Sequence, residues 1–413
     1  MFVSNKYIVI RKEDLRAIIR EQNLTLLEDE QTMPRAFPEN PDFNPEQAMV
    51  ITGVRRCGKS TVLKQLMKQK SCNYYLTFED IRLTDFELQD FLKVEDVFRE
   101  EFGQSSLYFY DEIQNISGWE RFVRQQLDQR KQVILTGSNA RLLSTELGTH
   151  LTGRHIDYEL FPFSYPEYLK YTKSENTRPV FEKYLMQGGF PEYLHNNKRE
   201  YLQNLLTDIL IRDIAVRNGI RNLKVLKEMA VFLLSNLGKE FSYHSLRKIF
   251  ELGAASTVID YISMYEECYL LFTIPRFDYS LKKQAYHPKK VYAIDNGLAV
   301  ANSLSFSSDI GRMLENLVFN TLRRRYHEIF YFRQKKECDF IIREQGSIIS
   351  AIQVCSILTS DNKTHEIEGL FEAMEYFNLN EGYLLTMDEE DELRREGRTI
   401  LIRPVRKWDG FNV

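Results

Sequence analysis

Residues 49–61 of the chain read Met49-Val50-Ile51-Thr52-Gly53-Val54-Arg55-Arg56-Cys57-Gly58-Lys59-Ser60-Thr61. The apolar start suits a buried strand, the part from Gly53 to Ser60 fits the pattern GxxxxGK[ST], and a helical pattern follows. The glycines let the backbone turn so that its N–H groups and the helix N-terminus face an anion. The stretch therefore predicts a phosphate-binding loop over residues 53–61. The alternative is a glycine turn before an ordinary helix.

Two residues of this loop have side chains that suit a bound Mg-triphosphate. Lys59 is placed to reach the β and γ oxygens of the phosphate chain, and the hydroxyl of Ser60 is placed to ligate Mg²⁺. The sequence thus predicts ATP and Mg²⁺ as the cofactors of this site.

A second apolar run ends in two carboxylates. The run is Leu107-Tyr108-Phe109-Tyr110-Asp111-Glu112. Asp111 is expected to hold the Mg²⁺ shell, and Glu112 to orient and deprotonate an attacking water. The alternative is a solvated helix start, where acidic side chains are also favoured.

Two further polar positions are candidates for catalysis. Ser138, with Asn139 beside it, follows the apolar run Val133 to Leu135 and is placed to sense a γ-phosphate, although a Gly-Ser-Asn turn is also common for conformational reasons. Arg154 is a candidate for stabilising transition-state charge, either in its own chain or in a neighbouring subunit. A surface ion pair is the alternative for Arg154.

The order of patterns along the chain predicts several domains. Buried-strand runs alternate with helical patterns from residue 48 to about residue 137, which predicts a parallel sheet covered by helices. After Gly153 the patterns are helical, and between residues 223 and 295 three short helices precede two strands, which is typical of a winged helix. A further α/β region ends the chain. Before all of these, residues 1–47 suggest a strand from Tyr7, an amphipathic helix and a proline-rich arm.

Composition and charge exclude several classes of protein. The 413 residues are 43% hydrophobic and 28% charged, and the net charge of -4 argues against a surface covered in nucleic-acid contacts. The five cysteines are scattered without a CxxC pair, so a disulfide framework and a thiolate zinc site are not expected. No membrane-length apolar run or signal-peptide segment is visible, and a cytoplasmic location without membrane contact is the expectation.

These residues resemble a known family, the AAA-type P-loop ATPases of bacteria and archaea that are related to the signal-transduction ATPases and carry a C-terminal domain similar to PD-(D/E)XK restriction nucleases. Besides the motifs above, the resemblance rests on segments spread over the rest of the chain. They are Phe161-Pro162-Phe163-Ser164-Tyr165-Pro166-Glu167-Tyr168, Gly188-Gly189-Phe190-Pro191-Glu192-Tyr193, Asp295-Asn296-Gly297-Leu298, Gly311 through Phe319, and Glu337-Cys338-Asp339-Phe340.

The resemblance completes a multidomain α/β layout. The expected regions are an N-terminal strand, helix and proline-rich arm at 1–47, a P-loop ATPase core with a parallel sheet at 48–153, a helical lid at 154–222, a winged-helix-like module at 223–295, and a nuclease-like α/β domain at 296–413.

The resemblance also implies a degenerate metal site in the last region. Glu315 and Asp339 match two acidic metal ligands of the nuclease-like fold, whereas Gln353 and Cys355 stand where an acid and a lysine are needed. A neutral amide weakens a divalent site, and the lost ammonium would have offset charge at the phosphorane. Nuclease inactivity is therefore expected, with a displaced lysine such as Lys363 as the alternative.

Any nucleic-acid contact is expected at one basic loop. Residues 276–290 contain Arg276, Lys282, Lys283, Lys289 and Lys290 against the single acid Asp278. The third helix of the winged-helix-like module has no Lys or Arg between Ala254 and Leu271, so it is a poor groove reader. The loop could grip a DNA backbone, or it could be ordinary solvated surface.

Three functions remain open on the sequence. The first is an ATPase whose turnover moves C-terminal domains that bind a macromolecular partner, and the second is a nucleotide-gated DNA- or protein-binding scaffold with negligible turnover. The third is an active Mg-dependent DNase. The partner and the oligomeric state are not fixed by the sequence.

Overall fold

The computed structural model describes residues 10–28, 33–37, 44–138, 153–304 and 309–411. The chain forms two compact units, Met1–Leu160 and Phe161–Val413. Tyr7, where an N-terminal strand is expected to begin, lies outside the described residues. No helix within the described ranges is long and apolar enough to cross a membrane.

The first unit is built on a parallel sheet of five strands. The strands are β1 (Ala48–Thr52), β2 (Tyr75–Thr77), β3 (Leu107–Asp111), β4 (Gln132–Gly137) and β5 (His155–Glu159). Their order across the sheet is β2-β3-β4-β1-β5, and every adjacent pair is parallel. All residues of β1 and β3 are buried, which is why these strands read as continuous apolar runs.

Helices accompany this sheet in the first unit. They are α1 (Lys12–Glu28), α2 (Lys59–Lys70), α3 (Phe91–Phe102) and α4 (Trp119–Asp128). The amphipathic pattern expected near the N-terminus is α1, and it buries Leu15, Ile18 and Ile19.

The boundary expected at Gly153 differs from the observed division at Leu160. The segment His155–Glu159 forms β5, which pairs with β1 along its whole length, so it belongs to the sheet and not to a helical lid starting at 154. Its side chains are half-buried or exposed, because β5 is an edge strand. A polar strand of this kind gives no apolar run in the sequence.

The second unit begins with helices. They are α5 (Tyr165–Thr172), α6 (Arg178–Gln187), α7 (Pro191–Asn196), α8 (Arg199–Asp208), a π-helical continuation (Ile209–Val216), and α9 (Leu223–Leu234). A capping box at Ser164 and Glu167 starts α5, and prolines occupy the first turns of α5, α6 and α7.

A small antiparallel sheet follows. Its strands are β6 (Glu240–Phe241), β7 (Leu271–Pro275) and β8 (Lys289–Ala293), in the order β6-β8-β7. Between β6 and β7 lie α10 (Tyr243–Ile249) and α11 (Ala255–Glu267), and the loop from β7 to β8 contains a short helix, α12 (Leu281–Tyr286).

The last part of the chain surrounds a six-stranded mixed sheet. Its order is β13-β14-β12-β11-β10-β9, with strands β9 (Glu328–Arg333), β10 (Glu337–Glu344), β11 (Ser347–Val354), β12 (Glu381–Thr386), β13 (Asp391–Arg395) and β14 (Arg398–Pro404). The helices of this part are α13 (Asn296–Asn302), α14 (Ile310–Arg323) and α15 (Lys363–Tyr376). A separate sheet domain thus ends the chain, as the sequence predicts.

Candidate functional site

The loop after β1 has the backbone that a phosphate-binding loop requires. Gly53 has a φ of 147°, Gly58 a φ of 103°, and α2 begins at Lys59 directly after Gly58. A Cβ atom on residue 53 would lie 2.1 Å from the carbonyl oxygen of Leu160, so only glycine fits there. The N–H groups at the start of α2 have no partners within the helix and are available to an anion.

Lys59 is enclosed by its own loop. Its ammonium donates to the carbonyl oxygens of Gly53, at 3.0 Å, and Val54, at 3.2 Å. It also lies 3.7 Å from Oε1 of Glu112, and its side chain is 4% exposed. The lysine is therefore held among oxygen atoms at the carboxyl end of β1.

The hydroxyl of Thr136 on β4 connects Asp111 and Glu112. It donates to Oδ1 of Asp111 and accepts a hydrogen bond of 2.9 Å from the backbone N–H of Glu112. Tyr75 on β2 donates to Oδ2 of Asp111 at 3.2 Å. Because β4 lies between β3 and β1 in the sheet, Thr136 is the neighbour that orients both carboxylates. The sequence analysis quoted Thr136 without giving it this role.

The Asp111 carboxyl is buried, and burial raises its pKa above the usual value for aspartate. The negative charge of Glu112 raises this pKa further, whereas hydrogen bonds from Thr136 and Ser60 and the charge of Lys59 lower it. Ser60 and Asp111 are therefore close enough to share a ligand, and their oxygens are of the kind that Mg²⁺ prefers.

Glu112 has a left-handed backbone with a φ of 52°. Its side chain accepts a hydrogen bond from Gln114 and is buried near Lys59. Left-handed conformations are uncommon for non-glycine residues and often occur at functional sites. Here this conformation starts a turn directly after β3 and holds the carboxylate beside the phosphate-binding loop.

Ser138 follows β4 and is buried, and its Oγ has no hydrogen-bond partner within the described ranges. A buried hydroxyl normally has a partner, so this atom is suited to a polar ligand. Asn139, the neighbouring candidate, lies outside the described residues.

Arg154 lies at the other end of the sheet from the phosphate-binding loop. Its carbonyl accepts from the N–H of Ala48, the first residue of β1, whereas the loop follows the last. The length of β1 separates the two places by roughly 15 Å. Its guanidinium donates to Asp128 at 2.6 Å. The structure therefore does not bring Arg154 to the nucleotide site of its own chain, and the ion pair is the contact observed.

Arg35 is a residue near the loop that the sequence analysis did not single out. Its Nη1 donates to the carbonyl oxygen of Cys57 at 2.5 Å, and its backbone N–H donates to Gln65 on α2. Gln65 in turn donates to the carbonyl of Met33. Residues 33–37 of the proline-rich arm thus lie against the loop, which a wrapping arm allows but the sequence gave no signal to locate.

The residues of the proposed degenerate metal site are only partly brought together. Asp339 and Glu315 both contact the ammonium of Lys290, and the backbone N–H of Asp339 donates to Oε1 of Gln353 at 3.1 Å. Cys355 lies instead against the hydrophobic core, and its thiol donates to the carbonyl of Ile357. Burial raises the pKa of Cys355 to about 11, so it does not take over the role of a lysine.

Lys290 corrects one expectation about the basic loop. It is buried on β8 among carboxylates, so it is not available to a DNA backbone. Lys282 and Lys283 are exposed on α12, and Lys289 is half-buried over the ring of Tyr243. Arg276 donates to the carbonyl of Arg333. The exposed positive charge of the loop is therefore smaller than its sequence suggests. Lys363, the displaced lysine considered above, is exposed at the start of α15.

Comparison with known proteins supports the AAA-type assignment. The family model of the AAA domain matches residues 45–169, a range that includes all five strands of the parallel sheet except β2's neighbours upstream of residue 45. Residues 178–309 and 310–406 match two domains of unknown function, DUF8612 and DUF4143. Neither of these two descriptions assigns a nuclease.

Three curated proteins are similar to the chain over most of its length. The uncharacterized protein MJ1544 of Methanocaldococcus jannaschii is 33% identical over 406 residues, which cover 88% of each chain. An uncharacterized protein of Haemophilus influenzae is 29% identical over 346 residues, which cover 78% of this chain and 85% of the relative. A second M. jannaschii protein, MJ1637, is 23% identical over 420 residues.

Proposed function

Because the chain belongs to the family of MJ1544 and carries an AAA domain, we propose that it binds ATP with Mg²⁺ and hydrolyses it. The observation that carries this proposal is the distance of 3.7 Å between the Lys59 ammonium and the Glu112 carboxylate. It brings the cation of a phosphate-binding loop together with an acid that follows Asp111 on a neighbouring part of the sheet. Phosphate binding and water activation require this proximity.

The loop and its lysine are proposed to hold the phosphates. The N–H groups at the start of α2 face the anion, and Lys59 exchanges its carbonyl partners in the loop for phosphate oxygens. Ser60 and Asp111 are the residues that would hold Mg²⁺, which supplies charge neutralisation at the phosphate oxygens.

Glu112 is proposed to act as the general base. Its carboxylate is buried and oriented by Gln114, and its own N–H is fixed by Thr136. A carboxylate held in this way accepts a proton from a water placed beside it. Ser138 is proposed to donate to the terminal phosphate, since its buried hydroxyl adjoins the same end of the sheet.

We propose further that the nucleotide state controls how the second unit binds a macromolecular partner. The order of helix, strand, two helices and two strands from α9 to β8, with the sheet order β6-β8-β7, supports a winged-helix interpretation of that region. Glu315, Asp339 and Gln353 support a nuclease-like, inactive interpretation of the last domain. DNA contact through residues 276–290 would depend on Lys282 and Lys283.

The test of hydrolysis is the substitution Glu112→Gln. It should lower the rate of phosphate release by about 10²-fold to 10⁴-fold, because it removes the base, while ATP binding persists. Phosphate release and nucleotide binding by calorimetry measure the two effects. Lys59→Ala should abolish binding itself.

The matched control is Glu21→Gln, on an exposed part of α1, which should leave both quantities unchanged. A negligible wild-type rate that Glu112→Gln does not alter would favour the scaffold function over the ATPase. Absence of nucleotide binding by the wild-type protein would contradict both. Plasmid nicking with Mg²⁺ or Mn²⁺ that disappears in Asp339→Ala would instead identify a nuclease.

A further inference from the structure

A buried lysine in the second unit lies at the centre of three carboxylates. The ammonium of Lys290 is 2.8 Å from Glu337, 2.9 Å from Asp339 and 3.2 Å from Glu315. The side chain of Lys290 is 3% exposed. Burying an ammonium is costly unless it is surrounded by acceptors, and here each N–H of the ammonium has a carboxylate oxygen within reach.

The four charged groups come from different elements. Lys290 is on β8 of the small sheet, Glu315 is on α14, and Glu337 and Asp339 are on β10 of the six-stranded sheet. We propose that the Lys290 ammonium is the resident cation of this acidic site, that it takes the place of a divalent metal ion, and that it joins the small sheet to the terminal domain.

The distances favour an ammonium over a metal ion. Oxygens at 2.8 to 3.2 Å from the central atom have the spacing of ammonium hydrogen bonds, whereas Mg²⁺ needs about 2.0–2.1 Å and Ca²⁺ about 2.3–2.6 Å. Across the described ranges no group of three or more His, Cys, Asp or Glu side chains is arranged to hold a metal ion. The carboxylates are thus spaced for the lysine.

Backbone closes one side of the site. A Cβ atom on Gly238 would lie 2.7 Å from Oε2 of Glu315, and Gly238 has a φ of 71° with its N–H bonded to the carbonyl of Val291. The turn before β6 therefore covers Glu315 directly. A phosphodiester, with its own water and metal ligands, needs this space.

Neighbouring donors fix the carboxylates around the lysine. The hydroxyl of Tyr292 donates to Glu315 at 2.7 Å, and the N–H of Val354 donates to Asp339 at 3.0 Å. Arg333 lies 3.7 Å from the second oxygen of Glu337. Since one ammonium and one half-exposed guanidinium face three carboxylates, removal of Lys290 leaves buried negative charge with too little compensation.

The experiment compares the thermal unfolding of the full-length wild type with that of Lys290→Ala, with and without millimolar MnCl₂. Lys290→Ala should lower the unfolding midpoint by about 10 °C, because uncompensated buried carboxylates are strongly destabilising. Mn²⁺ should restore at least half of this loss by occupying the vacated position, and should not shift the wild-type midpoint. Addition of Asp339→Asn to Lys290→Ala should abolish the Mn²⁺ effect.

Lys289→Ala is the matched control, since Lys289 is adjacent on β8 but outside the acidic site, and it should change the midpoint by less than about 2 °C. Stabilisation of the wild type by Mn²⁺ that requires Asp339, or no effect of Mn²⁺ on Lys290→Ala, overturns the proposal. If Lys290→Ala yields no folded protein, the triple variant Lys290→Met, Glu315→Gln, Asp339→Asn should fold, because the charges are then removed together. Failure of that variant also overturns the proposal.

Discussion

Thr136 is the smallest side chain on which the nucleotide site depends. One hydroxyl donates to Asp111 and accepts from the N–H of Glu112, so it sets the positions of the proposed metal ligand and the proposed base together. The backbone of Glu112 is held in a left-handed conformation next to this contact. Conformations of this kind persist where surrounding contacts fix them.

The substitution Thr136→Val tests this dependence. The valine has a similar shape but leaves the Glu112 N–H without its acceptor, which should cost about 1–3 kcal/mol of stability. The resulting shift of the base should lower kcat for ATP by about 10-fold to 100-fold. Steady-state kinetics and urea unfolding measure the two effects. Thr136→Ser keeps the hydroxyl and should stay close to wild type, and an unchanged kcat in Thr136→Val would show that Thr136 does not orient the base.

Asp295 is a buried carboxylate of the second unit whose protonation is coupled to folding. Its oxygens accept from the N–H groups of Gly189, at 2.7 Å, and Leu298, at 2.9 Å. Burial raises its pKa to about 6, although these hydrogen bonds act in the opposite direction. The folded protein therefore holds the proton more tightly than the unfolded chain does.

The sign of the pH dependence follows from that raised pKa. The contribution of Asp295 to stability is complete below about pH 4 and is lost as the pH rises through about 6, a change of about 3 kcal/mol. Asp295→Asn does not titrate, so the difference in unfolding free energy between wild type and Asp295→Asn should shift by this amount between those pH values. Urea unfolding across this range measures the difference. Parallel pH curves for the two proteins would contradict the prediction.

The sequence identified the residues of the nucleotide site better than those of the acidic site. Lys59, Ser60, Asp111 and Glu112 belong to short motifs whose strand and helix context is visible locally. Lys290 is 25 residues from Glu315 and 49 residues from Asp339, and no local pattern joins them. The sequence therefore assigned Lys290 to a basic surface loop, and only the fold reveals its carboxylate partners.

At the scale of elements, a glycine turn after α6 meets the start of α13. Gly188 has a φ of 70°, and a Cβ atom there would lie 2.2 Å from Oδ1 of Asp295. Asn296 donates to the carbonyls of Leu185 and Met313, which belong to two different helices. The two glycine-containing motifs on which the family resemblance partly rests are thus one structural junction, and sequence alone did not connect them.

The substitution Gly188→Ala should disrupt this junction. Both a strained backbone and a clash with the Asp295 carboxylate oppose the added methyl group, so the expected loss of stability exceeds about 3 kcal/mol. Gly219→Ala is the matched control in the same unit, because Gly219 has a φ of 63° with open space around its Cβ position. It should cost about 1–2 kcal/mol through backbone strain alone. Equal losses in the two variants would show that the Asp295 contact is unimportant.

The elements that the sequence predicted best are those buried on both faces. The strands β1, β3 and β4 were visible as apolar runs, whereas the edge strand β5 was not, because His155–Glu159 alternates exposed and half-buried polar side chains. The loop from β7 to β8 was read as a simple hairpin but contains the helix α12. Side-chain periodicity is too short-ranged to locate a six-residue helix within a basic loop.

At the scale of the whole molecule, the sheet order decides what Arg154 does within one chain. It precedes β5 and lies beside the start of β1, so the length of the sheet separates it from Lys59. A role at a nucleotide site therefore requires a second copy of the chain.

The substitution Arg154→Ala should leave the ATPase rate of monomeric protein within about twofold of wild type, because only the exposed ion pair with Asp128 is lost. Phosphate release measured at concentrations where light scattering shows a monomer checks this. A large loss of rate in the monomer would contradict the placement of Arg154. A loss confined to assembled protein would identify Arg154 as the catalytic arginine of a neighbouring subunit.

The close approach of Gly53 to Leu160 ties nucleotide chemistry to the course of the chain. The N–H of Leu160 donates to the carbonyl of Thr52 at 2.8 Å, and its own carbonyl fills the space where residue 53 lacks a side chain. Leu160 is also the last residue of the first unit. A rearrangement of the phosphate-binding loop therefore pulls on the peptide that leads out of the ATPase core, with main-chain atoms as the transmission. Lengthening the chain after Leu160 would slacken this lever while leaving every side chain of the catalytic machinery in place.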